Sequence, residues 1–432
     1  MQNITASFKS KRSIAIIGAG QAGLQLACGL LKFGCVVTMF SNRTSEQICH
    51  GQILSNQSMF DVALSCEREL ELNFWDSECP RNISVTMTLA VPNAREKAIE
   101  WTGMTHKFYQ AVDQRLKFSR WMLHIQDLGG KIIILDVNAT RLNEIAKSHD
   151  LTIIASGKGE ISKLFTRDNE RSKYYQPQRV LASIYIKNII PMIPSGVRVS
   201  IIPGIGEYFI MPGLTLNGPC EMMQFEGIPS GDFDCWNDIS SPGEQLETAL
   251  QLLNKYVPWE AERCSNVQLT DTKAILKGQY TPVIRYPTVT LPCGKAILGI
   301  GDTVILNDPI AGQGSNNAAK AAGHYLKKIV EHDENEFTEE WMKEVFEEYW
   351  NQDGRWATEW SNLLLQPPEP HVIELLISAS KNPEIANKLA NGFDQPSTLF
   401  PWITDAEQTS HFIRSCKNSE MSNIKADDIY FS

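Results

Sequence analysis

The chain of 432 residues reads as a mixed α/β protein: a Rossmann-type layer, an antiparallel sheet inserted into it, and a helical C-terminal region. Three observations lead there. A strand, a glycine turn and a helix follow one another near the N-terminus. Two later apolar segments each run into a glycine turn. Between those two segments lies a stretch of short alternating runs.

Ser13 to Ile17 (SIAII) is a short, β-rich apolar run, followed by GAGQAG and by LQLACGLLKFG, in which Leu24, Ala27, Leu30 and Leu31 share one helical face. Gly34 stops that helix, and Cys35 to Phe40 (CVVTMF) completes a parallel βαβ unit. Leu151 to Ala155 (LTIIA) runs into SGKG, and Lys295 to Ile300 (KAILGI) runs into Gly301 and Asp302. Both read as central parallel strands whose C-terminal ends face a ligand. Over residues 178–226, RVLASIYI, VRVSIIPG, EYFIMPG and CEMMQFEG alternate between Gly/Pro turns and predict an antiparallel sheet, a substrate domain. After Asn317 the pattern is helical, over Ala318 to Glu331 and again from Phe337 to Leu365, and it ends in a polar tail. No repeat or low-complexity segment breaks the chain.

With 43% hydrophobic and 21% charged residues, the chain has material for one large or two moderate cores. A formal charge of −10 and the lack of a basic run argue against a nucleic-acid partner, because phosphate binding needs concentrated positive charge. The ten cysteines, at positions 28, 35, 49, 66, 79, 220, 235, 264, 293 and 416, form no Cys-x-x-Cys pair and match no zinc spacing. They read as reduced core residues, and no metal site is expected. Met1 to Lys11 has no apolar core of a signal peptide, and no stretch approaches the roughly 18–20 apolar residues that span a bilayer. A cytoplasmic protein without a membrane partner is expected.

Gly18, Gly20 and Gly23 form GxGxxG between strand and helix, the context that the dinucleotide fingerprint requires. The first glycine permits the turn, the second lets backbone approach a pyrophosphate, and the third permits close helix packing; amides around Gln21 and Ala22 then face the phosphates. Where many such folds place an acidic residue on the ribose, this chain carries Ser41, Asn42 and Arg43. A second strand-loop-helix lies in GDTVILNDPIAGQGSNNAAKAAGHYL: Asp302 closes the strand, Pro309, Gly312, Gln313 and Gly314 shape the loop, and a helix starts near Ser315 and Asn316. Taken alone, that segment also fits an ordinary glycine loop capped by Ser315 or Asn316.

The two motifs together resemble the FAD-binding oxygenases of the glutathione-reductase-type fold, and the DPxxGQGxNxA form resembles the styrene and indole monooxygenases. The resemblance extends through ERELELNFW (67–75), AVDQR (111–115), ASGKGEISKLFTRD (155–168) and PQR (177–179). It implies a flavin domain built from residues 1–80, 111–170 and 276–332, a substrate domain from 81–110 and 171–275, and a helical region from 333–432. It also places Arg115 and the loop after Gly157 beside the cofactor, with Asp302 on the ribityl chain.

Indole-oxidising relatives carry Ser, Gln and Met at alternating positions of the substrate pocket, and this chain reads Ser55, Gln57 and Met59. Alternation would set all three on one face of a strand, with Gln57 accepting an indole N–H and Met59 packing the ring. Val85 fits the same pattern. Asn82 and Tyr109 depart from it and favour a more polar substrate; Pro309 and Ile310 border the reacting space. His50, His106 and His124 have no readable partner, so no catalytic side chain is assigned.

With one complete dinucleotide fingerprint, the chain has no evident nicotinamide site. The resemblance therefore implies FAD supplied in reduced form by a separate NADH-dependent flavin reductase, O2 as co-substrate, and a small aromatic substrate, indole or an indole-like compound, with styrene as the alternative; a homodimer is compatible with it. A same-fold hydroxylase of a more polar substrate and a non-catalytic flavoprotein are the competing readings. A flavin-dependent halogenase is disfavoured, because the Trp-x-Trp-x-Ile-Pro segment of those enzymes is absent.

Overall fold

The computed structural model describes residues 12–92 and 95–416. Met1 to Lys11 and the polar tail beyond residue 416 lie outside them. In chain order the strands that build the site are β1 (Ser13–Ile17), β2 (Val36–Ser41), β3 (Asn82–Ala90), β4 (Lys97–Tyr109), β5 (Lys131–Ile134), β6 (Leu151–Ile154), β7 (Val180–Lys187), β8 (Gly196–Ile202), β9 (Gly206–Thr215) and β10 (Gly218–Gly227).

One six-stranded sheet runs in the order Thr288–Thr290, Ala296–Gly299, β6, β1, β2, β5. β1 pairs in parallel with β2 and β6, and Ala296–Gly299 pairs in parallel with β6. Ile14, Ala15 and Ile16 are fully buried, as expected of a central parallel strand covered on both faces. The helix Gln21–Lys32 packs against the helix Gly314–His332, so the two glycine turns of the sequence end up side by side.

A second, eight-stranded sheet has the order Gln268–Leu269, β7, β10, β9, β8, β3, β4, with Ile275–Gln279 also paired to β7, and Val283–Ile284 pairs with Ile305–Leu306 in a small two-stranded one. It is antiparallel throughout except where β3 lies parallel to β8. That exception follows from the chain path. β3 and β8 are separated by β5 and β6, which belong to the first sheet, so no hairpin dictates their direction.

The helical C-terminal region closes over the second sheet. The helix Pro383–Gly392 lies on β4, and its Ile385, Ala386, Leu389 and Ala390 join one buried cluster with Val85 and Trp101. Gly103 makes that approach possible, since a Cβ there would stand 2.1 Å from the Ala386 carbonyl oxygen. All ten cysteines are free. Among the described residues no helix is long and apolar enough to cross a membrane.

Candidate active site

A cavity of about 250 Å³ opens between the two sheets. At one end it meets two helix starts, through Gly20, Gln21 and Ala22 on one side and Gly312, Gly314 and Ser315 on the other. Neither helix has a side-chain cap, whereas Asp113, Asn138, Ser241 and Thr338 cap helices elsewhere in the chain. The first backbone N–H groups of both helices thus have no side-chain acceptor, and they lie where an anionic ligand would meet the positive ends of two helix dipoles. The second helix begins at Gly314 with Gln313 before it, so a cap by Ser315 or Asn316 is not what forms there.

The three N-terminal glycines act differently. A Cβ on Gly18 would stand 2.3 Å from the Ala155 carbonyl oxygen, and one on Gly23 would stand 2.2 Å from that of Gly18. Those two are packing requirements of the strand-turn-helix itself. A Cβ on Gly20 would meet nothing within 4 Å, although Gly20 lines the cavity. Packing therefore does not require glycine there, and its bare backbone borders open cavity space.

Of the other expected cofactor neighbours, Gly157, Asp302 and Pro309 line the same cavity, as does Ile310, expected on the substrate side. Asn316 and Gln313 do not. The Asn316 amide donates to the Ser58 and Gly312 carbonyls and accepts from the Phe60 N–H, and the Gln313 amide donates to Ala311 and Phe393. Both position the loop. Ser41, Asn42 and Arg43 close β2 without lining the cavity, and the Ser41 hydroxyl is engaged in a turn with Arg43. Arg115 is a correction. Its guanidinium is held by Asp113 at 2.7 Å and by Asp271 at 2.9 Å, buried away from the cavity, so it braces the frame. Two carboxylates leave it no free edge to offer a ligand.

The substrate end corrects more. Residues 52–58 form no strand, and the alternation lapses at the isolated bridge between Met59 and Gln110. Ser55 and Gln57 line the cavity, but Met59 turns away to pack with Ala63, Leu64 and Ala319. Gln57 is locked, donating to the Val112 carbonyl and accepting from Gln114 at 3.0 Å. Asn82 donates to the Pro212 carbonyl and accepts from Ser195, and Tyr109 donates to the Ser84 carbonyl while accepting from the Val197 N–H. Their polar groups are satisfied within the fold, and neither residue lines the cavity. Val85 is fully buried beside Val197, on the next strand of the sheet, and does not line the cavity.

The wall that faces the cavity comes from three neighbouring strands, through Val197 and Val199 of β8, Phe209 and Met211 of β9, and Gln224 and Glu226 of β10. Spacing by two puts each pair on one face. Val199, Phe209 and Gln224 stand in register across the sheet. Asn56, Ser58, Phe60 and Tyr280 complete the surround, with Phe393 from the C-terminal region. Sequence reasoning missed this wall, although the alternation in VRVSII, FIM and QFE carried a signal for it; Phe393 had none.

Charge is concentrated at both ends. Lys158 stands 3.8 Å over the Tyr280 ring; loss of hydration lowers its pKa and Asp302 works against that. Burial raises the Asp302 carboxyl, opposed by Lys158 and Arg285. Burial, reinforced by Asp308 and Glu207, holds the Glu226 carboxyl well above the usual range. Among the described residues no cluster of His, Cys, Asp or Glu could hold a metal ion.

Residues 157–263 match the family model of the styrene monooxygenase A substrate-binding domain. The chain is 28% identical over 409 residues to styrene monooxygenase StyA of Pseudomonas fluorescens, covering 92% of this chain and 96% of that one. Among solved structures, the flavin-dependent brominase Bmp2 superposes with a TM-score of 0.61 at 14% identity, covering 96% of this chain and all of that one. The p-nitrophenol 4-monooxygenase PnpA of Pseudomonas putida DLL-E4 gives 0.61 at 10% identity, covering 89% and 98%. The fold is thus an FAD-binding α/β fold, and along most of its length the sequence is similar to styrene monooxygenase.

Proposed function

We propose that the chain is the oxygenase component of a two-component flavoprotein monooxygenase, placing one oxygen atom of O2 on a small aromatic or unsaturated substrate, with indole and indole-like compounds as the first candidates. The observation that carries this reading is the cavity itself, which joins two uncapped helix starts to an apolar sheet wall. FAD is the cofactor; the backbone of Gly20, Gln21 and Ala22 would hold its pyrophosphate, and Gly157, Asp302, Gly314 and Ser315 the rest of its chain. Ser41, Asn42 and Arg43 stay near that end without a contact to assign. Bound and reduced, FAD would supply the two electrons that activate O2, with one oxygen atom going to the substrate and the other leaving as water.

The chain's own part is binding, orientation and exclusion of water. Val197, Val199, Phe209 and Met211 present an apolar face that keeps water from the reacting space. Gln57, locked by Gln114 and Val112, keeps one oxygen lone pair for a substrate donor, and Ile310 and Pro309 sit between the two ends. No side chain is required as acid or base. Reduced flavin would come from a separate NADH-dependent reductase, since the chain carries one dinucleotide fingerprint; the cytoplasm is where such a partner and NADH are found.

The test is an aerobic assay of purified protein with FAD, NADH, a flavin reductase, catalase, ¹⁸O2 and a panel of indole and styrene. A product one oxygen heavier, labelled from O2 and dependent on this chain, supports the reading. Reduced-FAD binding and peroxide formation without a labelled product from either compound would keep the oxygenase and point to another substrate, whereas flavin binding without any reaction with O2 would leave a flavoprotein that is not this oxygenase.

A further inference from the structure

The apolar stripe of the sheet wall ends abruptly on β10. Ser183 of β7 donates to the Gln224 side-chain oxygen at 3.3 Å, and the Gln224 amide donates in turn to Oε1 of Glu226. That relay orients the carboxyl group and stops there. Glu226 Oε2 has no hydrogen-bond partner among the described residues, although Glu226 is fully buried and lines the cavity. Its neighbour Glu207 shows what a structural carboxylate looks like here, closed by two bonds of 2.6 and 2.9 Å from Arg179. Arg179 is thereby engaged, and Glu226 is left without a cation of its own. A second orphan lines the same cavity, since the side-chain amide of Asn56 has neither its Nδ2 nor its Oδ1 paired among the described residues.

Buried polar groups in native proteins are almost always satisfied, and each orphan left without a partner is destabilising. Gln21 and Asn307 also line the cavity with one unpaired atom each, and Glu226 Oε2 with the two side-chain atoms of Asn56 are the orphans that point here to a ligand completing them. We infer that the substrate carries a hydroxyl group, bound by Glu226 and Asn56 at the polar end of an otherwise apolar wall, an inference that deepens the monooxygenase reading and rests on it. A hydroxyl both donates and accepts, so it pairs with Oε2 whether or not that oxygen holds a proton, and it suits either group of Asn56. An ammonium would need the ionised carboxylate, which burial opposes. A hydrocarbon substrate would leave all three atoms unpaired.

Calorimetric titration of the FAD-loaded protein with 4-hydroxystyrene and 4-methylstyrene tests this, because the two differ by hydroxyl against methyl at nearly equal size. The hydroxyl compound is expected to bind at least about tenfold tighter. Glu226→Leu should bring the two within about twofold, while Glu226→Gln, which keeps shape and bonding groups, should retain most of the preference. The wild-type ratio needs no variant, and Asn56→Ala should lower it even if Glu226→Leu does not fold. Equal binding by the wild-type protein, or a preference undiminished in Glu226→Leu, overturns the inference. Preference without oxygenation of either compound would instead sink the monooxygenase reading and leave the hydroxyl site standing.

Discussion

The two ends of the cavity are made of different material. At the parallel-sheet end much of the lining is backbone, at Gly20, Gly312 and Gly314 beside two helix starts and at Gly157 in the turn after β6, with the Lys158 and Asp302 side chains next to it. At the other sheet the lining is side chains, Val197, Val199, Phe209, Met211, Gln224 and Glu226, standing on strands whose backbone is engaged in pairing. The difference teaches where change is tolerated. A backbone site has few ways to vary, because its geometry is the turn itself. A side-chain wall can be rewritten position by position while the strands stay paired.

The sharpest break of that comparison is expected at Gly23→Val. With the added Cβ 2.2 Å from a carbonyl oxygen, the helix must leave the strand, and we expect a loss on the order of 4 kcal/mol or more in urea unfolding. Gly20→Val should separate folding from binding. Its Cβ meets no protein atom, so the flavin-free protein should unfold within about 1 kcal/mol of wild type, yet FAD affinity should fall about a hundredfold, near 2.8 kcal/mol. Equal losses in both assays would show that the two glycines do the same job.

The third expectation uses the two faces of β10. Glu226 looks into the cavity, whereas Glu221 looks to the opposite face, where burial pushes its carboxyl up to about 7, with Arg263 opposing and Glu260 adding. A raised carboxyl keeps its proton in the folded state over a window where the unfolded chain has released it. Stability is therefore lost as pH rises from the ordinary carboxylate range through about 7. Glu221→Gln should flatten that fall and gain roughly 1–3 kcal/mol at pH 8, read from unfolding curves at pH 5 and pH 8; parallel curves for the two proteins would contradict it.

The smallest effect is expected at Met59→Leu. This volume-conserving change in a side cluster should cost less than about 1.5 kcal/mol and leave the ratio of indole to styrene turnover as in wild type. A shifted ratio would put Met59 back among the residues that meet the substrate.

How much of this was legible beforehand follows the same division. β1, its helix and the Asp302 turn could be read directly, because a hydrophobic period and a glycine at a turn are local properties of the chain. Ser55 and Gln57 line the cavity and Met59 does not, because residues 52–58 form no strand and the alternation assumed for them has no sheet to act on. Asn82 and Tyr109 looked like polar recruits to the pocket. In fact Ser84, Pro212, Ser195 and Val197, all distant in sequence from at least one of them, already satisfy their hydrogen bonds. Arg115 looked like a cofactor ligand until Asp271, 156 positions away, closed its second edge.

By itself, the sequence determined the strand-turn-helix frame and the bare backbone at Gly20, since both depend on steric rules that operate within a few residues. Only the tertiary structure decided which side chains face the cavity. Phe393 reaches it from the C-terminal region, Gln224 and Glu226 reach it from β10, and Asn82, Tyr109 and Arg115 are drawn away from it. A side chain's partners are set by packing across the whole chain, and that is a property no local pattern contains.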